Sequence, residues 1–107
     1  MGEVADRGAA QVSASTDSTG QLIISLEGEL DIANADDVRR EMEPYLSERA
    51  SSVTFDLGKL EFMDSSGIAL LVEVANRVGR IEVCNATPIV HRVLEVTGLT
   101  DAFGMKE

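Results

Sequence analysis

The sequence predicts a single α/β domain: a small mixed sheet, mostly parallel after an N-terminal hairpin. Three observations carry this. Two β-patterned runs stand on either side of Asp17-Ser18-Thr19-Gly20, a cluster of turn formers. Beyond them, strand-like and helix-like runs alternate to give β-β-α-β-α-β-α, and such alternation implies parallel strands with right-handed crossovers. The 107 residues suit one core, since a chain of this size buries about 60–70% of its unfolded surface.

Met1 to Ala10 mixes Gly, Ala and charge and is expected to be a flexible leader, leaving 11–107 as the domain. Gln11 to Ser15 is expected to be an edge strand. Gln21 to Glu27 gives a stronger one, with Leu22, Ile24 and Leu26 alternating against Ile23 and Ser25. Gly28 to Ile32 is expected to be a loop. Asn34 is then expected to cap a helix whose first turn holds Asp36 and Asp37, where acidic side chains suit the helix dipole. Ala35, Val38, Met42, Tyr45 and Leu46 follow helical spacing, so an amphipathic helix is expected to run to Arg49 or Ala50. Pro44 inside it should kink it or loosen its second half.

Ser52 to Leu57 is β-rich, and the run continues to Met63 with Leu60 and Phe62 as expected anchors. Gly67 to Val78 is the most apolar helical stretch. Ile68, Leu71, Val72, Ala75 and Val78 form one stripe, which Ala69, Leu70 and Val74 widen. Gly79 is placed to end it. Arg80 to Cys84 is a short strand. Thr87-Pro88 supplies an N-cap and a first-turn proline for a third helix, expected to reach Thr97, with Gly98 stopping it and Leu99 folding back. Phe103 is expected to pack the tail.

Composition narrows the function classes. The net charge of −10 repels nucleic acid and anionic membranes over a Debye length of about 8 Å, and favours a partner with a basic surface. Cys84 is the sole cysteine, which excludes an internal disulfide and a thiolate metal cluster. Nothing approaches the run of about eighteen apolar residues that spans a bilayer, and no secretory segment opens the chain, so a soluble cytoplasmic protein is expected. No cofactor motif is present. A Walker-type loop is absent, which counts against nucleotide binding.

The chemistry concentrates at Phe62-Met63-Asp64-Ser65-Ser66-Gly67-Ile68, between strand and helix. Three readings compete there. Ser65 or Ser66 caps the helix through an N2 or N3 amide, a device worth about 1 kcal/mol. A serine is a nucleophile on a strand-to-helix elbow; against this, the Gly-x-Ser-x-Gly frame is missing, and the only histidine, His91, lies in the last helix. Or a serine accepts phosphate. The added charge of about −1.5 to −2 is favoured by the helix amides and opposed by Asp64, so the fold survives while the local surface changes its preference for a partner.

Gly28-Glu29-Leu30-Asp31, the Asp64-Ser65-Ser66-Gly67 loop, and Thr87-Pro88 with Val90, Arg92-Val93-Leu94 and Gly98-Leu99 match one known pattern in order and spacing. Over residues 11 to 104 the chain resembles the STAS domain, specifically the bacterial anti-sigma factor antagonists. The resemblance implies a sheet with helices packed mainly on one side. It implies that Ser65, less so Ser66, is the phosphoacceptor of an anti-sigma factor that is also an ATP-dependent serine kinase. The unphosphorylated protein would bind that factor and free a sigma factor; phosphorylation would break the complex, and a phosphatase would restore it. Asp31, Ile32, Asp64, Ser65, Ser66 and Gly67 are the implied contact residues, with Asp64 fixing the serine loop. Mg²⁺ and ATP would belong to the kinase, so the chain is expected to be a substrate and ligand rather than an enzyme. The competing expectation from the same fold is an adaptor subunit of a lipid-transport or stress-signalling complex. Cys84 is expected to be a buried, inert thiol.

Overall fold

The computed structural model describes residues 10–46 and 52–96, and the backbone of 104–106. Its elements follow in chain order: β1 (Gln11–Thr16), β2 (Leu22–Leu30), α1 (Ala35–Met42) with a 3-10 turn (Glu43–Tyr45), β3 (Val53–Met63), α2 (Ser65–Val78), β4 (Ile81–Cys84), α3 (Pro88–Val96) and β5 (Gly104–Lys106). The five strands form one sheet in sequence order. β1 and β2 are antiparallel; β2, β3, β4 and β5 are parallel.

Alternation sets the layers. Ile24, Phe55 and Val83 are register partners across β2, β3 and β4 and are fully buried, so one sheet face makes the core. Val38 and Met42 of α1, Leu70, Leu71 and Val74 of α2, and Val90 and Leu94 of α3 join them in one cluster. The opposite face carries Ser25, Thr54, Asp56 and Glu82, which are only half-buried. Helices therefore cover mainly one side, as the resemblance implied.

The hairpin turn is built by Asp17. Its Oδ1 accepts from the Thr19 hydroxyl at 2.6 Å and from the amides of Thr19 and Gln21 at 2.8 and 3.0 Å. Gly20, at φ +90°, supplies a left-handed residue that few side chains tolerate. The Thr19 hydroxyl is the first cause holding the Asp17 carboxyl below its ordinary pKa, with the amides assisting. A lowered pKa stabilises the fold above the ordinary carboxylate value and is lost as pH falls through the folded value. Thr19→Val is thus expected to lower stability at neutral pH. Urea unfolding at successive pH values should show that gap closing as Asp17 protonates in both proteins.

Several expectations are corrected. β2 does not stop at Glu27: it crosses Gly28, at φ 96°, and ends at Leu30. Register shifts between Ser25 and Glu27 and between Gly28 and Glu29 let the strand absorb irregular residues and stay paired to β3. α1 ends at Met42 rather than near Arg49, because Pro44 cannot donate to a helical ladder and the chain tightens into the 3-10 turn. Tyr45 is exposed while Leu46 is buried. Phe62 is no anchor; it is 43% exposed, and Leu60 and Met63 fill the core instead. α3 ends at Val96. β5 was not expected. The leader, Gly98, Leu99 and Phe103 lie outside the described residues.

Gly79 ends α2 as expected, at φ 97° with its N–H on the Ala75 carbonyl at 2.8 Å. Arg77 reaches from α2 to Glu43 at 2.7 Å and to the Leu46 carbonyl at 3.2 Å, joining α2 to the start of the 3-10 turn and to the residue just after it.

Candidate functional site

The site lies where β3 passes into α2, beside the loop between β2 and α1. Met63 is the last inward residue of β3, and Asp64 follows in extended backbone, so the strand stops and the helix starts at one peptide. Asp64 is the N-cap. Its Oδ1 accepts from the Ser66 amide at 2.8 Å, and its carbonyl accepts from Gly67 and Ile68 at 3.0 and 3.2 Å. This corrects the capping reading of the serines: the aspartate does that work. The Ser65 side chain is exposed, and its hydroxyl has no hydrogen-bond partner among the described residues. Ser66 is half-buried.

The same aspartate reaches across to the neighbouring loop. Its Oδ2 accepts from the Ile32 amide at 3.3 Å, and its own N–H donates to the Leu30 carbonyl at 3.2 Å. Leu30 and Met63 are register partners, so the two loops leave the sheet side by side. Ile32 is 80% exposed and stands beside the serine loop. Asp31 shapes its own turn, where its Oδ1 accepts from the Ala33 amide at 3.0 Å.

Asn34 is the N-cap residue of α1 as expected, its carbonyl accepting from the Val38 amide at 2.9 Å, but its side chain has another task. Its Oδ1 accepts from the Asp31 amide at 3.0 Å and its Nδ2 donates to the Glu29 carbonyl at 2.7 Å. No side-chain cap bond forms. The residue pins the Asp31–Ile32 loop to the end of β2. An Asn three residues beyond an Asp in a strand-to-helix loop was the available signal, since both types bond nearby backbone readily.

Gly67 sits buried under the first turn of α2. A Cβ there would lie 2.4 Å from Met63 Cγ and 3.0 Å from Leu30 Cδ2. The glycine lets α2 rest directly on the strand ends that carry Asp64 and Ile32. Ser65, Ser66, Asp64, Gly67, Asp31 and Ile32, expected as one site, are thus brought to one sheet edge.

The first turn of α2 offers a partly positive helix end to an anion at Ser65, with Asp64 opposing it. Among the described residues, no group of three or more His, Cys, Asp or Glu side chains is placed to hold a metal ion. His91 lies on α3 rather than on the serine loop. Cys84 ends β4 half-buried rather than fully buried. No helix among the described residues is long and apolar enough to cross a membrane.

Asp64→Ala removes the cap and the tie to Ile32 together. The expected loss is about 1–2 kcal/mol of stability, from the cap and one further hydrogen bond. Amide hydrogen exchange should show Ser66 and Ile32 deprotected together; protection unchanged at Ile32 would separate the two loops.

The STAS domain family model matches residues 11–107. An anti-sigma F factor antagonist of Paenibacillus polymyxa is 36% identical over 85 residues, covering 75% of this chain and 73% of the relative. An anti-sigma factor antagonist from Mycobacterium paratuberculosis has the same fold, with TM-score 0.81 and 22% identity over 92% of this chain and 86% of that one. The phosphorylated Bacillus cell fate determinant SpoIIAA gives TM-score 0.66 and 22% identity, covering 91% and 92% of the two chains. Fold, loop and sequence relatives agree, and the chain belongs to the STAS domain family, among the anti-sigma factor antagonists.

Proposed function

We propose that this protein is a cytoplasmic anti-sigma factor antagonist, switched off by phosphorylation of Ser65. In its free-hydroxyl form it binds an anti-sigma factor with serine kinase activity, and a sigma factor is released. The kinase transfers phosphate to Ser65 and the complex parts; a phosphoserine phosphatase resets the cycle. The protein is substrate and ligand, and the transfer chemistry belongs to the kinase. The observation that carries this reading is the exposed Ser65 hydroxyl at the start of α2, without a hydrogen-bond partner among the described residues and beside the exposed Ile32. Because Asp64 is the cap, modifying Ser65 costs the helix no existing bond.

The site assignment within the pair follows from exposure. Ser66 is half-buried and its amide is held by Asp64, so the kinase meets Ser65 first. Incubation with ATP and the anti-sigma kinases encoded in the same genome, followed by peptide mass spectrometry, tests this. The expected result is one phosphate on Ser65, abolished by Ser65→Ala and retained in Ser66→Ala. No modification at either serine with any of those kinases sinks the proposal.

A further inference from the structure

Five large apolar side chains among the described residues are exposed: Ile32, Tyr45, Phe62, Ile89 and Val96. Scattered single residues of this kind are ordinary, whereas a group beside a functional loop marks an interaction surface. Ile32, Phe62 and Ile89 form such a group by topology. Ile32 follows β2, Phe62 is the penultimate residue of β3, and Ile89 is the second residue of α3, after β4. All three belong to the carboxyl ends of adjacent parallel strands, where Ser65 also lies. Tyr45 and Val96 end a 3-10 turn and a helix instead.

Two hydrogen bonds hold the segments on either flank of Phe62 against the end of β3. Asp64 holds the Ile32 amide. On the other flank, the Thr87 hydroxyl donates to the Leu60 carbonyl at 3.1 Å. β4 pairs with β3 only as far as Asp56, while β3 runs on to Met63. The first turn of α3, rather than a strand, therefore flanks the last part of β3, and Ile89 sits on that turn. Acidic residues outnumber basic ones around the group: Glu29 is the register partner of Phe62, and Asp31, Glu61 and Asp64 stand close by in sequence, against the exposed Lys59 and Arg92.

We infer that the docking surface extends from the serine loop across Phe62 and Ile89, and that its occupant is a protein surface with an apolar centre and a Lys/Arg rim. The inference rests on the proposed function and adds the chemistry of the partner. A second copy of this chain is a poor occupant, because like charges would meet across the contact. Ser65 then lies within the covered surface, next to the Asp64 that holds the Ile32 amide and three residues beyond Phe62. A charge added there is covered by the partner rather than left at the rim.

Affinity for the genome's own anti-sigma kinase, measured by titration calorimetry without ATP, tests the surface. Phe62→Ser and Ile89→Ser are each expected to weaken binding about tenfold or more, as central apolar contacts do. Val96→Ser should bind as the native chain does, and thermal unfolding of all three should stay close to native. Affinity should fall between low and high salt. If Ser65→Asp abolishes binding while Phe62→Ser and Ile89→Ser leave it intact, the extended surface is refuted and the proposed function stands. If the native chain does not bind the kinase, both fall. Self-association of the free chain that Phe62→Ser removes, or equal damage from Val96→Ser, overturns the stated occupant.

Discussion

Ser65→Asp is expected to weaken binding to the anti-sigma factor more than a hundredfold, while Ser65→Ala stays within about threefold of native. The alanine case follows from what the hydroxyl does in the free protein. It is exposed and has no hydrogen-bond partner among the described residues, so its removal breaks nothing in the fold. The aspartate case sets three effects against one another. The amino end of α2 favours a negative charge by about 0.3–1 kcal/mol. Asp64, the preceding residue, disfavours one by a similar amount at this exposure. Stability should therefore move by less than about 1 kcal/mol. At an interface the balance differs, because the partner strips water from the new charge and offers no designed counter-ion. A cost of roughly 3 kcal/mol is a factor above a hundred in affinity. Phosphate carries about −1.5 to −2 charges and exceeds aspartate in this respect. Calorimetric titration of the three proteins, with thermal unfolding of each, separates the switch from any folding defect. Equal affinity of Ser65→Asp and Ser65→Ala would remove charge as the basis of control.

Much of this site is legible in the sequence because its parts are local. Thr87-Pro88 states a helix start whatever surrounds it, and α3 does begin at Pro88. Gly79 states a helix end, confirmed by its left-handed backbone. The alternation in Leu22–Leu26 and Val53–Leu57 identifies two strands whose register partners are buried on one face. What escaped was set by tertiary partners. Asp64, Ser65 and Ser66 are all good cap formers, and spacing alone does not choose among three adjacent residues. The choice is made by β3, which runs to Met63 and leaves Asp64 at the junction. Gly28 reads as a loop residue, yet β3 supplies pairing that carries β2 through it. Phe62 reads as core because it is large and apolar, but the irregular end of β3 turns it outward and gives its place to Met63. β5 is three residues without alternation, and only β4 beside it makes it a strand.

Gly67→Ala is expected to destabilise the protein by about 1–3 kcal/mol, which corresponds to a fall of roughly 5–15 °C in Tm for a domain of this size. Helix propensity alone predicts the opposite, since alanine is better than glycine in a helix by about 1 kcal/mol. Space decides the sign. The new Cβ would fall 2.4 Å from Met63 Cγ and 2.8 Å from Met63 Sδ, with Leu30 Cδ2 at 3.0 Å. The crowded atoms belong to residues only 1% and 0% exposed, so neither side chain can swing into solvent. Relief must come by turning Met63 against its packed neighbours or by lifting the first turn of α2. Lifting the turn strains the bonds from Asp64 to Ser66 and Ile32 and moves Ser65 relative to both. Phosphorylation by the kinase should therefore slow by more than the unfolded fraction explains. Met63→Ala placed with Gly67→Ala should cost less than the sum of the two single changes, because it removes the clashing atoms. A Gly67→Ala protein as stable as native would mean that the helix start shifts freely on the sheet, and that packing does not set the alignment of Ser65 with Ile32.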